Sequence, residues 1–98
     1  MIRHVSLLTL QPDVTDAQVA AIFDGLAALP GAIDEIAAYS FGRDLALADD
    51  TADIAIVADF DDLAGYETYR DHPRHRAVLA DLIRPVLASR AALQYEVG

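Results

Sequence analysis

Residues 69–76 read YRDHPRHR and hold two of the three histidines in the chain. An imidazole titrates near neutrality, so a histidine kept neutral in a pocket can take a proton from a bound molecule. A tyrosine hydroxyl beside it can orient the ring or bond a developing oxyanion. His72 and His75 with Asp71 also form a run of metal-ligand residue types. Cysteine is absent, which removes disulfides, thiolate ligands and cysteine nucleophiles together. Gly-x-Ser-x-Gly, Gly-x-Gly-x-x-Gly, P-loop and zincin motifs are also missing, so neither a serine hydrolase nor a nucleotide-binding protein is indicated.

Spacing separates the two histidines. His75 is followed by Val78, Leu79, Leu82 and Ile83 at helical intervals, which puts it at the N-terminal end of an inward apolar stripe. His72 precedes Pro73, where its expected work is to cap or flank a helix start. Only one of the pair points inward, so no metal is expected. Two readings of His75 stand: a core histidine bonded to a backbone carbonyl, or a general base held neutral by partial burial and the positive end of a helix. Tyr69 lies on the inward stripe of the preceding helix, and the Pro73 break is expected to fold its hydroxyl back toward His75. His4 shares one strand face with Ser6, Leu8 and Leu10, as filler or as pocket wall.

The elements that must hold these groups follow from pattern. RHVSLLTL, stopped by Gln11-Pro12, reads as a strand. Thr15 and Gln18 form a capping box for a helix with Val19, Ile22, Phe23, Leu26 and Leu29 on its inner stripe, ended by Pro30-Gly31. A second strand is expected over residues 35–42, an acidic loop over LADDTAD, and a third strand over DIAIVADF. A helix capped by Asp61 or Asp62 carries Leu63, Tyr66 and Tyr69 inward. Pro73 breaks it and opens another, which runs to about Ile83 or Leu87. RAALQYEV closes the chain as a fourth strand. The order β-α-β-β-α(α)-β is the α+β ferredoxin-like arrangement, a four-stranded antiparallel sheet covered by helices on one face, and residues 1–98 read as one domain.

The sheet's other face does not turn polar. DIAIVADF places Ile54, Ile56, Ala58 and Phe60 on one side and Ala55 and Val57 on the other, while Val5 and Leu7 oppose Ser6, Leu8 and Leu10. A homodimer with sheets face to face is therefore expected. A net charge of −9 with no basic run disfavours nucleic acid as a partner. No apolar run approaches a membrane span, no signal peptide is indicated, and the expected location is cytoplasmic.

Together, RHVSLLTL with PDVT, the strand leading into DFDD, HPRH before an amphipathic helix, and QYEV resemble the stress-responsive A/B barrel family of dimeric α/β barrels. The resemblance covers nearly the whole chain. It implies ferredoxin-like protomers paired through their sheets, and no cofactor. In the plant polyketide cyclases of this family, a histidine of the HP.H motif acts as base beside a tyrosine in an aldol condensation, and a first-strand histidine lines the pocket. Carried over, these are His75, Tyr69 and His4; a further pocket histidine of that branch falls at Ile54 here. The expected function is binding of a small, largely apolar carbonyl compound, with cofactor-free acid/base chemistry by His75 and Tyr69. His4, Tyr66, Phe23 and Val78 are expected to contact the ligand. The alternative is a non-catalytic stress or structural homodimer. Other dimeric α/β barrels are monooxygenases, which gives a third reading.

Overall fold

The computed structural model describes the whole chain, Met1 to Gly98. Strand β1 (Ile2–Leu10) leads into helix α1 (Asp16–Ala27). Thr15 Oγ1 accepts from the Gln18 amide at 3.1 Å, and Gln18 Oε1 accepts from the Thr15 amide at 2.8 Å, so both otherwise orphaned N–H groups are satisfied. Pro30-Gly31 does not end the helical path as expected. Pro30 lies in the first turn of a short helix α2 (Leu29–Ala32), where its missing N–H leaves no bond unmade.

Strand β2 (Ile36–Arg43) and strand β3 (Ile54–Phe60) follow, then helix α3 (Leu63–Asp71) and helix α4 (Pro73–Val78). Of the two proposed caps for α3, Asp62 is the one used: its Oδ1 accepts from the Gly65 amide at 2.9 Å. Leu63, expected inward, is 58% exposed because it is the first residue after that cap, at the rim of the sheet. Beyond Val78 the helix widens into a π turn (Leu79–Ile83) and tightens into a 3₁₀ turn (Arg84–Val86). Pro85 has no N–H to give the Asp81 carbonyl, so a regular ladder cannot continue; instead the Arg84 N–H donates to Leu79, five residues back. Strand β4 (Leu87–Glu96) starts three residues before the expected Arg90.

The strands form one antiparallel sheet in the order β2-β3-β1-β4. β1 and β3 are central, and their pairing of His4 with Ala58, Ser6 with Ile56 and Leu8 with Ile54 fixes which side chains share a face. These six all point toward the helices and are buried there with Leu10 and Phe60. Val19, Ile22 and Leu26 of α1, Tyr69 of α3 and Val78 and Ile83 of the C-terminal helical run close over them. Fully burying each large side chain such as Leu8 or Ile22 stabilises the fold by roughly 1.5–3 kcal/mol. Gly25 lets α1 approach this run closely: a Cβ there would stand 2.8 Å from Leu82 Cδ1 and 3.3 Å from Val78 Cγ2.

The opposite face carries Val5, Leu7, Ala55, Val57 and Leu93, crossed by a bidentate Arg3–Asp59 ion pair at 2.8 and 2.9 Å. No element of the chain covers it, and Leu7 and Leu93 are 41% and 57% exposed. No helix is long and apolar enough to cross a membrane.

Candidate functional site

The helices leave β4 bare. Its helix-side residues Arg90, Ala92 and Gln94 are exposed, and a cavity of about 400 Å³ opens between this strand, β1 and the C-terminal helical run. His4, Tyr66, Tyr69 and His75 all line it. Four residues separated by up to 71 positions in sequence are thus brought together.

The His72–Pro73 break makes this convergence. His72 has extended backbone and its Nδ1 accepts from the Arg74 amide at 3.1 Å, which is the capping role expected of it. Pro73 starts α4 in a new direction, and His75, one turn in, stacks under the Tyr69 ring with centroids 4.1 Å apart and planes tilted by 31°. The Tyr69 hydroxyl does not turn toward His75 as expected. It reaches across the sheet and shares a 2.9 Å hydrogen bond with the Tyr39 hydroxyl on β2. Tyr69 therefore meets the imidazole with its ring face and fixes its own position with its hydroxyl. Burial pushes both phenols above their ordinary range, so the pair stays protonated.

The two cavity histidines are held neutral and in opposite tautomers. His75 Nδ1 lies 3.2 Å from the Arg70 carbonyl; a carbonyl only accepts, so Nδ1 carries the proton and Nε2 is left with a lone pair. His4 Nδ1 lies 2.8 Å from Gln94 Nε2. An amide nitrogen only donates, so His4 carries its proton on Nε2. Neither Nε2 has a hydrogen-bond partner within the chain, and neither is fully buried. Burial, with Arg90 and His75 nearby, lowers the His4 pKa to about 4. Burial likewise lowers that of His75, although its bond to Arg70 works the other way. The cavity therefore offers one basic nitrogen and one N–H donor at neutral pH.

Phe23 and Val78 do not border the cavity. Phe23 stacks on Phe41 of β2 at 5.3 Å, and Val78 packs toward Gly25 of α1. Both lie on inward stripes, but toward the β2 and α1 side of the sheet, while the cavity opens toward β4. No three His, Cys, Asp or Glu side chains are grouped so that they could hold a metal ion. Residues that the sequence reading did not assign to the site complete the wall: Leu79, Ile83 and Leu87, and Arg70, Arg84 and Arg90. The alternation of Arg90, Ala92 and Gln94 was visible, but only the register against β1 sets Arg90 opposite Leu8 and Gln94 opposite His4.

The sheet order and this cavity define a small ferredoxin-like α+β protein with a cavity between sheet and helices. The chain belongs to the Stress Responsive A/B Barrel Domain family, whose model matches residues 2–97. It is similar to a dimeric ferredoxin-like protein of unknown function from Thermobifida fusca, at 46% identity and TM-score 0.90, over 98% of this chain and 90% of that one. A dimeric protein of unknown function and ferredoxin-like fold from Bacteroides fragilis is 27% identical, with TM-score 0.84 over 98% and 95% of the two chains. A hydroxynitrile lyase from Passiflora edulis shares the fold at 18% identity, with TM-score 0.85 over 99% and 93%. No curated relative matches the chain.

Proposed function

We propose that the protein binds a small carbonyl compound in the cavity between β4 and the helices and moves a proton on it without a cofactor. The observation that carries this reading is the pair of neutral histidines with complementary free nitrogens, His75 accepting and His4 donating. His75 Nε2 takes a proton from the carbon next to the carbonyl. The C–H electron pair moves into a carbon–carbon double bond, and the carbonyl π pair moves onto oxygen. His4 Nε2–H donates to the resulting enolate oxygen, and the reverse transfer from His75 restores the starting state. Tyr69 positions the base through its ring face, and Tyr66, 5.4 Å from the His4 ring, forms the adjacent wall. The enolate is the common intermediate of aldol-type bond formation and cleavage, which places a cyclase or lyase reaction within reach of this site.

The test is exchange of the α-protons of acetophenone in deuterated buffer, followed by NMR. Wild-type protein should accelerate exchange, and His75→Ala should lose about 10²–10⁴-fold of that acceleration. Equal exchange by wild type and His75→Ala would sink the proposal. A second reading has its own observation: a histidine whose Nδ1 is bonded to a main-chain carbonyl also serves as a structural joint, here tying α4 to the end of α3. On that reading His75→Ala lowers the melting temperature and no carbonyl compound raises that of the wild type.

The protomer works as a homodimer closed through the uncovered sheet face. Val5, Leu7, Val57 and Leu93 form an apolar surface there that a second copy buries. The Thermobifida fusca and Bacteroides fragilis proteins are dimeric, in keeping with this assembly. The small size of the monomer core, 19 buried residues of 98, gives it reason to pair.

A further inference from the structure

All seven basic side chains of this protein are arginines, set against sixteen carboxylates. Three of the arginines, Arg70, Arg84 and Arg90, line the one cavity that holds both buried-face histidines, and no Asp or Glu lines it. Arg70 is neutralised by a bidentate pair with Asp71 at 2.9 Å. Arg90 bonds only the neutral Ser6 hydroxyl, at 3.1 Å, and Arg84 has no ion pair. Two guanidinium groups without an ion pair therefore line a cavity whose other polar groups are neutral apart from the paired Arg70, in a chain with a net charge of −9. None of the sixteen carboxylates lines this cavity or pairs with Arg84 or Arg90.

We infer that the ligand of this cavity carries a carboxylate, held at the rim by Arg84 and Arg90 while its apolar, carbonyl-bearing body lies between the histidines and Leu79, Ile83 and Leu87. This deepens the proposed function and rests on it. A planar guanidinium matches a carboxylate in a two-pronged hydrogen bond, and two of them from different elements, the 3₁₀ turn and β4, fix its orientation. The wall argues against a phosphate. It contains no glycine and is half apolar, whereas phosphate sites draw on clustered main-chain amides. At about 400 Å³ the space suits a ligand of roughly one ring with a short chain.

The test uses two probes of one shape, 3-benzoylpropionate and its uncharged amide, titrated into the wild-type protein by calorimetry and by NMR of the histidine rings. The carboxylate is expected to bind at least about tenfold more tightly than the amide. Arg84→Gln and Arg90→Gln should each weaken carboxylate binding far more than amide binding, and so erase most of that preference. Arg84→Gln breaks no bond in the fold, so it stands as the control should the loss of the Arg90–Ser6 bond disturb β4. Equal binding of both probes, unaffected by either substitution, overturns the carboxylate assignment and leaves the cavity as a carbonyl site. Displacement of the carboxylate by inorganic phosphate at equal concentration also overturns it, since the arginines would then hold any anion. Binding of neither probe, with the histidine signals unmoved, overturns the ligand-site reading and this inference with it.

Discussion

Lowering the pH from 7 to 4.5 should cost the folded protein about 2 kcal/mol through His4 alone. In the fold the His4 ring is 5% exposed and its pKa falls to about 4, because burial disfavours the charged form and Arg90 and His75 add to the penalty. In the unfolded chain the ring returns to its ordinary value near 6.5. Between these two values the unfolded state binds the proton and the folded state does not, so stability is complete above about pH 6.5 and declines as the pH falls toward 4. Near pH 5.5 the slope is about 1 kcal/mol per pH unit for one such group. His75 is shifted in the same direction and adds to the loss. Asp59 and Asp71, held below the ordinary carboxylate range by Arg3 and Arg70, lose their contribution only as the pH falls below the histidine window. The assay is urea unfolding by circular dichroism at fixed protein concentration from pH 4.5 to 7.5, on wild type and His4→Asn, whose Oδ1 can still accept from Gln94. The variant should keep a shallower slope, owed to His75. Identical slopes for the two proteins would show that His4 is not buried neutral, and the opposed-tautomer description of the site would fall with it.

Val57→Asp places a charge at the centre of the uncovered sheet face, opposite Val5, and should yield an unstable monomer by sedimentation; a stable dimer would place the interface elsewhere. His72→Ala removes the side chain that accepts the Arg74 amide and should cost about 0.5–2 kcal/mol in stability, with little effect on ligand binding. Tyr39→Phe and Tyr69→Phe each leave one hydroxyl of the shared pair without its partner, for a loss of about 1–3 kcal/mol in denaturant midpoint analysis. The double variant should cost clearly less than the sum of the two, and strict additivity would mean the hydroxyl contact contributes nothing.

What could be read before the structure was whatever depended on local spacing. The Thr15–Gln18 box, the alternation along β1 and β3 and the helix break at Pro73 are each settled within a few residues of chain. Stripe spacing set Tyr66 and Tyr69 inward ahead of His75, whereas His4 came into the site only through the family resemblance, because element order does not say which strand face lines the cavity. The atoms that each ring uses were not legible. The Tyr69 hydroxyl found Tyr39 because the fold packs α3 against β2, a proximity that no stripe on α3 records. Arg84 enters the cavity wall through the π and 3₁₀ turns, which rotate the end of the helix away from a regular 3.6-residue count. Arg90 depends on the β1–β4 register, and Phe23 and Val78 were misplaced because an inward stripe names a face of the sheet but not which end of that face is hollow.

Along β1, consecutive residues serve different masters: His4 and Ser6 face the cavity side, while Arg3, Val5 and Leu7 face the open side of the sheet. Substitutions at one parity change the cavity side and at the other the uncovered face, with the central strand as a shared spine. On the proposed homodimer, replacements on the cavity side leave the subunit contact untouched. An insertion or deletion of one residue within β1 has no such freedom. Placed before His4, it turns every later side chain of the strand over, sending that histidine to the uncovered face and Val5 to the helix side in a single event. Length in this strand is therefore far more constrained than identity, and sequence drift here should proceed by replacement alone.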